Sequence, residues 1–444
     1  MNDIPLVPSD RTLHTLPRQR AGARAVVHAE RVARRALGAS LALLGTAVWG
    51  TGCYDASGRR DADAAVTPLV DAAGPRLLEE RCRVAWAREI PIPDRVLGLV
   101  LSVAVADLEG SERVLASYAE SNRVWLGIFD ARTGEGPLEP SNVVRVTVSG
   151  ARVIGATYNP ALPDQRRLVT LDPRDGREQS ELGTFWADDV HGFELVSIGE
   201  RDILRFTVFE GFGLTSLEPQ ARGTDVVLTR EPSGLRVWGA RPGLGALVAV
   251  GDGAMLLAGP DTQLCFDGAC LGAPGNRHVI APDGTVTSRI DAERSSPARP
   301  HAAAALPDGS WLELDLRLRR FDAEGREVDS RAVPAFFNVA ELAVDLAADR
   351  VVTHTKVAAG PSEPIVSNVW MPAMDRTTDL FITWDLATLT PRHFAAAGDA
   401  SGRSGLSHLS LGRDGRLYAG GIADPTLEVC GTTFEGSIFV VALE

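Results

Sequence analysis

Along this chain apolar residues come in short runs of four to eight, each closed by an acidic or proline turn that contains glycine. WLGIFDARTGE (residues 125–135), LVTLDPRDGRE (168–178), HVIAPDGTV (278–286) and LRRFDAEGREV (318–328) are the clearest copies. TSLEPQARG (215–223) and ITWDLATLTP (382–391) are weaker ones. A second, tighter hairpin alternates with them in VAVGDGAMLLAG, AALPDGSWLEL and LSLGRDGRLYAGG, where glycine next to aspartate supplies the positive φ of a two-residue type I′ turn. Sustained helical spacing is missing beyond residue 80. ELAVDLAADR (341–350) is the best helix candidate, and it sits where the repeat wants a strand.

The turns recur at roughly 40 to 60 residues, the length of one four-stranded blade. Two alternating hairpin classes suit the first-to-second and third-to-fourth strand connections of such blades. Phe129, Leu171, Leu217, Ile280, Phe321, Trp384 and Val440 mark the third strands, which predicts an all-β, seven-bladed β-propeller over residues 81–444. The last blade runs out of chain after three strands, and CRVAWAREI (82–90) is available to close it. Strand boundaries between Gly150 and Gly199 leave six or eight blades open, and a pair of β-sandwiches is the competing architecture.

The first 52 residues read as an address. They carry seven arginines against Asp3, Asp10 and Glu30, then an apolar run over 36–49 that is too short to span a bilayer. Gly50-Thr51-Gly52-Cys53 follows, and this resembles a bacterial lipoprotein signal, which implies cleavage before Cys53 and lipidation of its thiol. Residues 53–80, rich in Ala, Asp and Gly, then form a flexible tether. At the other end, GLSHLSLGRDGRLYAGGIADPTLEVCGTTFEGSIFVVALE resembles the bacterial seven-bladed propeller repeat known as SBBP. That resemblance implies a fold and names no substrate.

The formal charge of −13 argues against a nucleic-acid partner. An acidic body leaves acyl chains as the attachment to a membrane, so the expected location is the bacterial cell envelope, as an outer-membrane lipoprotein or at the periplasm or surface. In that oxidising compartment CFDGAC places Cys265 opposite Cys270 across a turn, and a disulfide is expected there. Elimination leaves Cys82 for Cys430, although the two fall on opposite faces of the expected blade, so free thiols are the alternative.

No G-x-S-x-G, H-E-x-x-H, Walker lysine or C-x-x-C motif occurs. Two features carry candidate chemistry. Long loops are expected on one face at 260–276, 358–379 and 424–436, and the middle one offers Trp370, Met371 and Met374 either as a ligand surface or as residues tucked beneath the loop. His191, His301 and His408 precede innermost strands and point to one end of the central channel, where a divalent metal or an anionic ligand would bind; the alternative is that each bonds its own turn. The function read from these features is non-catalytic binding of a protein or small molecule, with a propeller hydrolase or lyase using a metal or carboxylate site as the alternative.

Overall fold

The computed structural model describes residues 76–91, 98–120, 123–149, 151–159, 161–231, 233–241, 244–266, 269–291, 302–315, 317–334, 337–366, 368–399 and 404–444. All belong to a unit that spans Ala56–Glu444. Residues 1–52, expected to be a signal, Cys53, His301 and most of the range 53–80 expected to be a tether lie outside the described residues.

Every described element is a strand; Arg76–Leu77, Val369–Met371 and Glu363–Val366 form a small three-stranded sheet of their own, and the other strands form antiparallel meanders. The first sheet is Gly98–Leu108, Ser111–Glu120, Arg123–Asp130 and Leu138–Ser141. Next come Val143–Ser149, Arg152–Tyr158, Gln165–Leu171 and Glu178–Ala187, with Phe212–Gly213 added at the edge. The third sheet is Val190–Ile198, Arg201–Val208, Thr224–Glu231 and Gly234–Arg241, and the fourth is Leu247–Val250, Gly253–Phe266, Ala269–Ile280 and Val286–Arg289. Ala302–Ala305, Trp311–Leu314, Arg317–Phe321 and Glu327–Ala332 make the fifth. The last two meanders, the sixth and seventh sheets, are hydrogen-bonded to each other as one eight-stranded sheet. One is Phe337–Asp345, Arg350–Val357, Thr377–Asp385 and Pro391–Asp399; the other is Gly405–Leu411, Leu417–Val429, Thr432–Leu443 and, from the N-terminal side, Val84–Pro91. They join where Ala397 and Gly398 pair with Val429 and Glu428.

Burial explains the stacking. Second and third strands such as Arg201–Val208 and Thr224–Glu231 are buried almost throughout, while outer strands such as Glu178–Ala187 and Glu327–Ala332 are largely exposed at their starts. A strand buried on both faces needs apolar neighbours above and below its sheet. Apolar clusters supply them between each sheet and the next, for example Ala104, Leu115 and Ile128 against Val146, Val153 and Val169. Another joins the last sheet to the first through Tyr418, Ile438 and Val440 against Val100, Val114 and Phe129. The leading strands follow the same order: each neighbours the next, and Gly405–Leu411 neighbours Gly98–Leu108.

Three sequence expectations change. ELAVDLAADR is the end of a leading strand and its turn rather than a helix. Leu217 lies in an exposed loop before the true third strand, Thr224–Glu231. The turns at 306–310 and 412–416 are longer than two residues: Gly309 and Gly415, at φ 82° and 80°, donate to Leu306 O and Gly412 O, so Pro307 and Arg413 start a type I turn before the left-handed glycine.

The N-terminal segment is held at several points. Arg76–Leu77 pair in parallel with Val369 and Trp370, although these residues fall within the range assigned to the tether. Leu78 is buried, and Glu80 bridges Phe394. Cys82 is disulfide-bonded to Cys430, with Cα atoms 5.3 Å apart. The topological objection to this bridge fails because the 417–443 hairpin extends over the outer strand Pro391–Asp399. Residues 80–81 lie against Phe394 of that same strand, and Cys430 N donates to Ala396 O. Val84–Pro91 then pairs antiparallel with Thr432–Leu443, from Val84 opposite Leu443 to Pro91 opposite Ser437.

Candidate functional site

The leading strands of the second and third sheets bring a polar group together. Arg145 is buried in Val143–Ser149, and its Nε donates to Val190 O at 2.6 Å while Nη1 donates to Leu101 O. One guanidinium therefore ties the leading strands of three sheets. Nη2 lies 3.4 Å from Nδ1 of His191, whose Nε2 lies 2.9 Å from Asp189. This geometry suits an imidazole that accepts from Arg145 and donates to the carboxylate. Burial would raise the Asp189 pKa, but the hydrogen bonds from His191 and Val190 N and the positive field around it, Arg145 included, outweigh it and hold the group at about 2. Asp188 serves its turn, accepting from Glu210 N at 2.7 Å and Gly211 N at 3.3 Å.

His408 approaches the same group from the seventh sheet. It is a non-glycine residue at φ 60°, and its N–H donates to Glu341 Oε1 at 3.1 Å. Burial pushes its pKa down to about 4; Glu341 opposes this, and Arg145 and His191 add to it. His191 and His408 thus lie within electrostatic reach of one another, while the third expected member, His301, is outside the described residues. Among the described residues, no group of three His, Cys, Asp or Glu side chains is arranged to hold a metal ion.

Sequence reasoning missed the charges behind His408. Glu341, on a leading strand, accepts from Leu409 N at 2.7 Å and lies 3.0 Å from Nδ1 of His354 on the second strand. His354 Nε2 lies 3.3 Å from Asp379 on the third strand, and Asp379 accepts from Leu406 N at 2.9 Å. The fully buried imidazole also stacks on Phe381, with ring centroids 4.5 Å apart. Burial alone would depress the His354 pKa, but the bonds to Asp379 and Glu341 raise it to about 9. The Glu341 pKa falls to about 2 because His354 outweighs its own burial.

The third sheet repeats this arrangement in other residues. Glu194 pairs with Arg205, Arg205 with Asp225 at 2.8 Å, and Glu194 accepts Leu247 N of the next leading strand at 3.0 Å. In the first sheet a neutral pair suffices: Ser102 and Ser117 are 2.7 Å apart, and Ser102 accepts Val146 N. Each is a polar staple from one leading strand to the next. A glutamate inside an apolar run, FELV or AELAV, was the signal available in the sequence.

The loop residues fall elsewhere. Met371 is buried on the sixth-sheet core with Val369, Ile365 and Leu78, and Met374 packs against that cluster from a half-buried position. Trp370 is half-buried in the strand paired with Leu77. Cys265 and Cys270 are register partners, and their side chains lie outside the described residues. No protein family matches the chain, and no curated protein is significantly similar to it.

Proposed function

We propose that this chain is an exported, lipid-anchored β-propeller of seven blades, and that it acts as a non-catalytic binding scaffold at the cell envelope. The attachment of residues 76–91 carries the reading. The segment that would leave the tether pairs with Val369–Trp370, in the loop between the second and third strands of the sixth sheet, bonds through Cys82 to Cys430 and then supplies the outer strand of the last sheet. A structural disulfide suits an oxidising compartment, and an outer strand borrowed from the opposite end of the chain suits a closed ring. Seven sheets stacked through apolar clusters, with the last packed on the first, support that ring. The His354 triad supports a role other than catalysis, since its imidazole is sealed from solvent and committed to two carboxylates.

Cys53→Ser tests the anchoring. The parent protein should enter the detergent phase on partitioning, and the variant should remain in the aqueous phase. Equal partitioning of the two would remove the lipid anchor from this reading.

A further inference from the structure

The polar staples between leading strands differ in what holds their carboxylates. In the third sheet the cation beside Glu194 is Arg205, which keeps its proton at any ordinary pH, and in the first the pair Ser102 and Ser117 is neutral. The sixth sheet uses an imidazole. Glu341 lies 3.0 Å from Nδ1 of His354 and Asp379 lies 3.3 Å from Nε2, so both ring nitrogens face a carboxylate and both have to donate. A neutral imidazole has one donor and one acceptor, and losing the proton therefore turns a lone pair on one of the two carboxylates.

The strand that relies on these carboxylates has a gap in its own ladder. Gly405–Leu411 pairs with Leu417–Val429, and the register jumps from Ser407 opposite Gly420 to Ser410 opposite Tyr418, which leaves His408 and Leu409 without partners. Their N–H groups donate to Glu341 instead, and Leu406 N donates to Asp379. His408 is held in the left-handed region at φ 60°, a conformation that persists only while its surroundings enforce it. Around His354 the titratable groups are Glu341 from the leading strand, Asp379 from the third strand, Lys356 from its own strand and, beyond Glu341, His408 from the seventh sheet. The two carboxylates are not equivalent. Asp379 Oδ2 and Lys356 Nζ both border Gly405, 2.6 and 3.1 Å from where a Cβ would stand, so Asp379 keeps a cation nearby when His354 is neutral. The other partner of Glu341, His408, is kept neutral by its burial.

We propose that His354 is a proton-operated latch on the leading strand of the seventh sheet: the imidazolium holds the seam between the sixth and seventh sheets closed, and loss of its proton frees His408 and Leu409 from Glu341, so that Gly405–Leu411 opens while the surrounding sheets stay folded. Relief of the left-handed conformation at His408 favours the open form. Anchoring through Cys53 plays no part in the latch.

Hydrogen exchange of the full-length protein, read by mass spectrometry in peptides covering Gly405–Leu411 and Thr224–Glu231, provides the test. After correction for intrinsic rates, exchange in Gly405–Leu411 should quicken about tenfold for each pH unit between about 6.5 and 9 and then level off, because opening releases one proton in that interval. About 1 M urea should leave this exchange unchanged, since a local opening exposes little surface; Thr224–Glu231, buried almost throughout, should exchange more slowly and respond to urea. Glu341→Gln keeps an acceptor for the two amides without demanding an imidazolium. That variant should exchange faster than the parent at about pH 6.5 and lose most of the pH dependence, and it keeps the test decisive if His354→Gln does not fold. Corrected exchange in Gly405–Leu411 that is flat over this pH range, a parental pH slope in Glu341→Gln, or a single urea-dependent rate shared by both peptides would overturn the latch.

Discussion

His354 carries its proton into the interior, and the free-energy sign of that choice can be followed with pH. Its pKa is about 9 in the folded protein against 6.5 for a free imidazole, so its contribution is complete below pH 6.5 and disappears as pH rises through 9. His408 does the reverse. With a folded pKa of about 4, it costs stability as pH falls from 6.5 through 4, because protonation in the unfolded chain is preferred. Stability should therefore peak near pH 6.5, and each arm should lose on the order of 2 to 3 kcal/mol if these two groups dominate. Urea denaturation at pH 4.5, 6.5 and 9 checks this, and His354→Gln should flatten the alkaline arm while lowering stability throughout. His191 and His408 were legible in the sequence because each stands beside a turn. Arg145 was not, because period-two reading sends a charged residue in a strand to solvent and cannot show which neighbouring sheet covers it.

At the scale of elements, glycine was a good guide to turns and a poor guide to their exceptions. Gly134 and Gly176 take φ 68° and 70° and donate to Asp130 O and Asp172 O. In the weaker copy DLATLT, Leu389 takes φ 48° and donates to Asp385 O in the same way, its side chain fully buried in the core between the fifth and sixth sheets. Burial there outweighs a left-handed strain of roughly 1 to 2 kcal/mol, and that balance is invisible without the packing. TSLEPQARG misled in the opposite direction. It has turn chemistry, but it fills a loop between the second and third strands. The closing strand was readable because CRVAWAREI alternates beside an unfilled edge. Its Trp86 donates to Ala131 O at 2.8 Å and packs against Phe129 and Tyr418, joining the last sheet to the first. Trp86→Ala should cost about 3 to 5 kcal/mol, and deletion of residues 82–90 should cause aggregation. A deletion protein that stays monomeric with the parental melting temperature would show that this edge needs no cover.

For the whole molecule, the bridge from Cys82 to Cys430 closes a covalent loop across a sequence separation of 348 residues. Loop-closure entropy in so long a chain gives about 5 to 6 kcal/mol as an upper figure, and losses measured for native disulfides are typically 2 to 5 kcal/mol. The Cys82→Ser, Cys430→Ser double variant should lose stability in that range and become insensitive to reductant. If the parent protein melts at the same temperature with and without reductant, the bridge contributes nothing to the fold. The loss should come with earlier protease cleavage near residues 76–91, because the same bridge pins the segment that pairs with Trp370 and with Thr432–Leu443.

Pairing the first long strand with the last also sets an order of events in time. Val84–Pro91 is made roughly 340 residues before its partner Thr432–Leu443. At ordinary synthesis rates of about 5 to 20 residues per second, the early strand waits roughly 20 to 70 seconds for the edge it will cover. During that interval no portion of the chain is a finished product, and a message cut short anywhere upstream of residue 432 yields a polypeptide with an unsealed margin. Quality control in the cell then has a simple criterion: an exposed edge at Val84–Pro91 marks an unpartnered strand, and the arrival of residues 432–443 removes the mark.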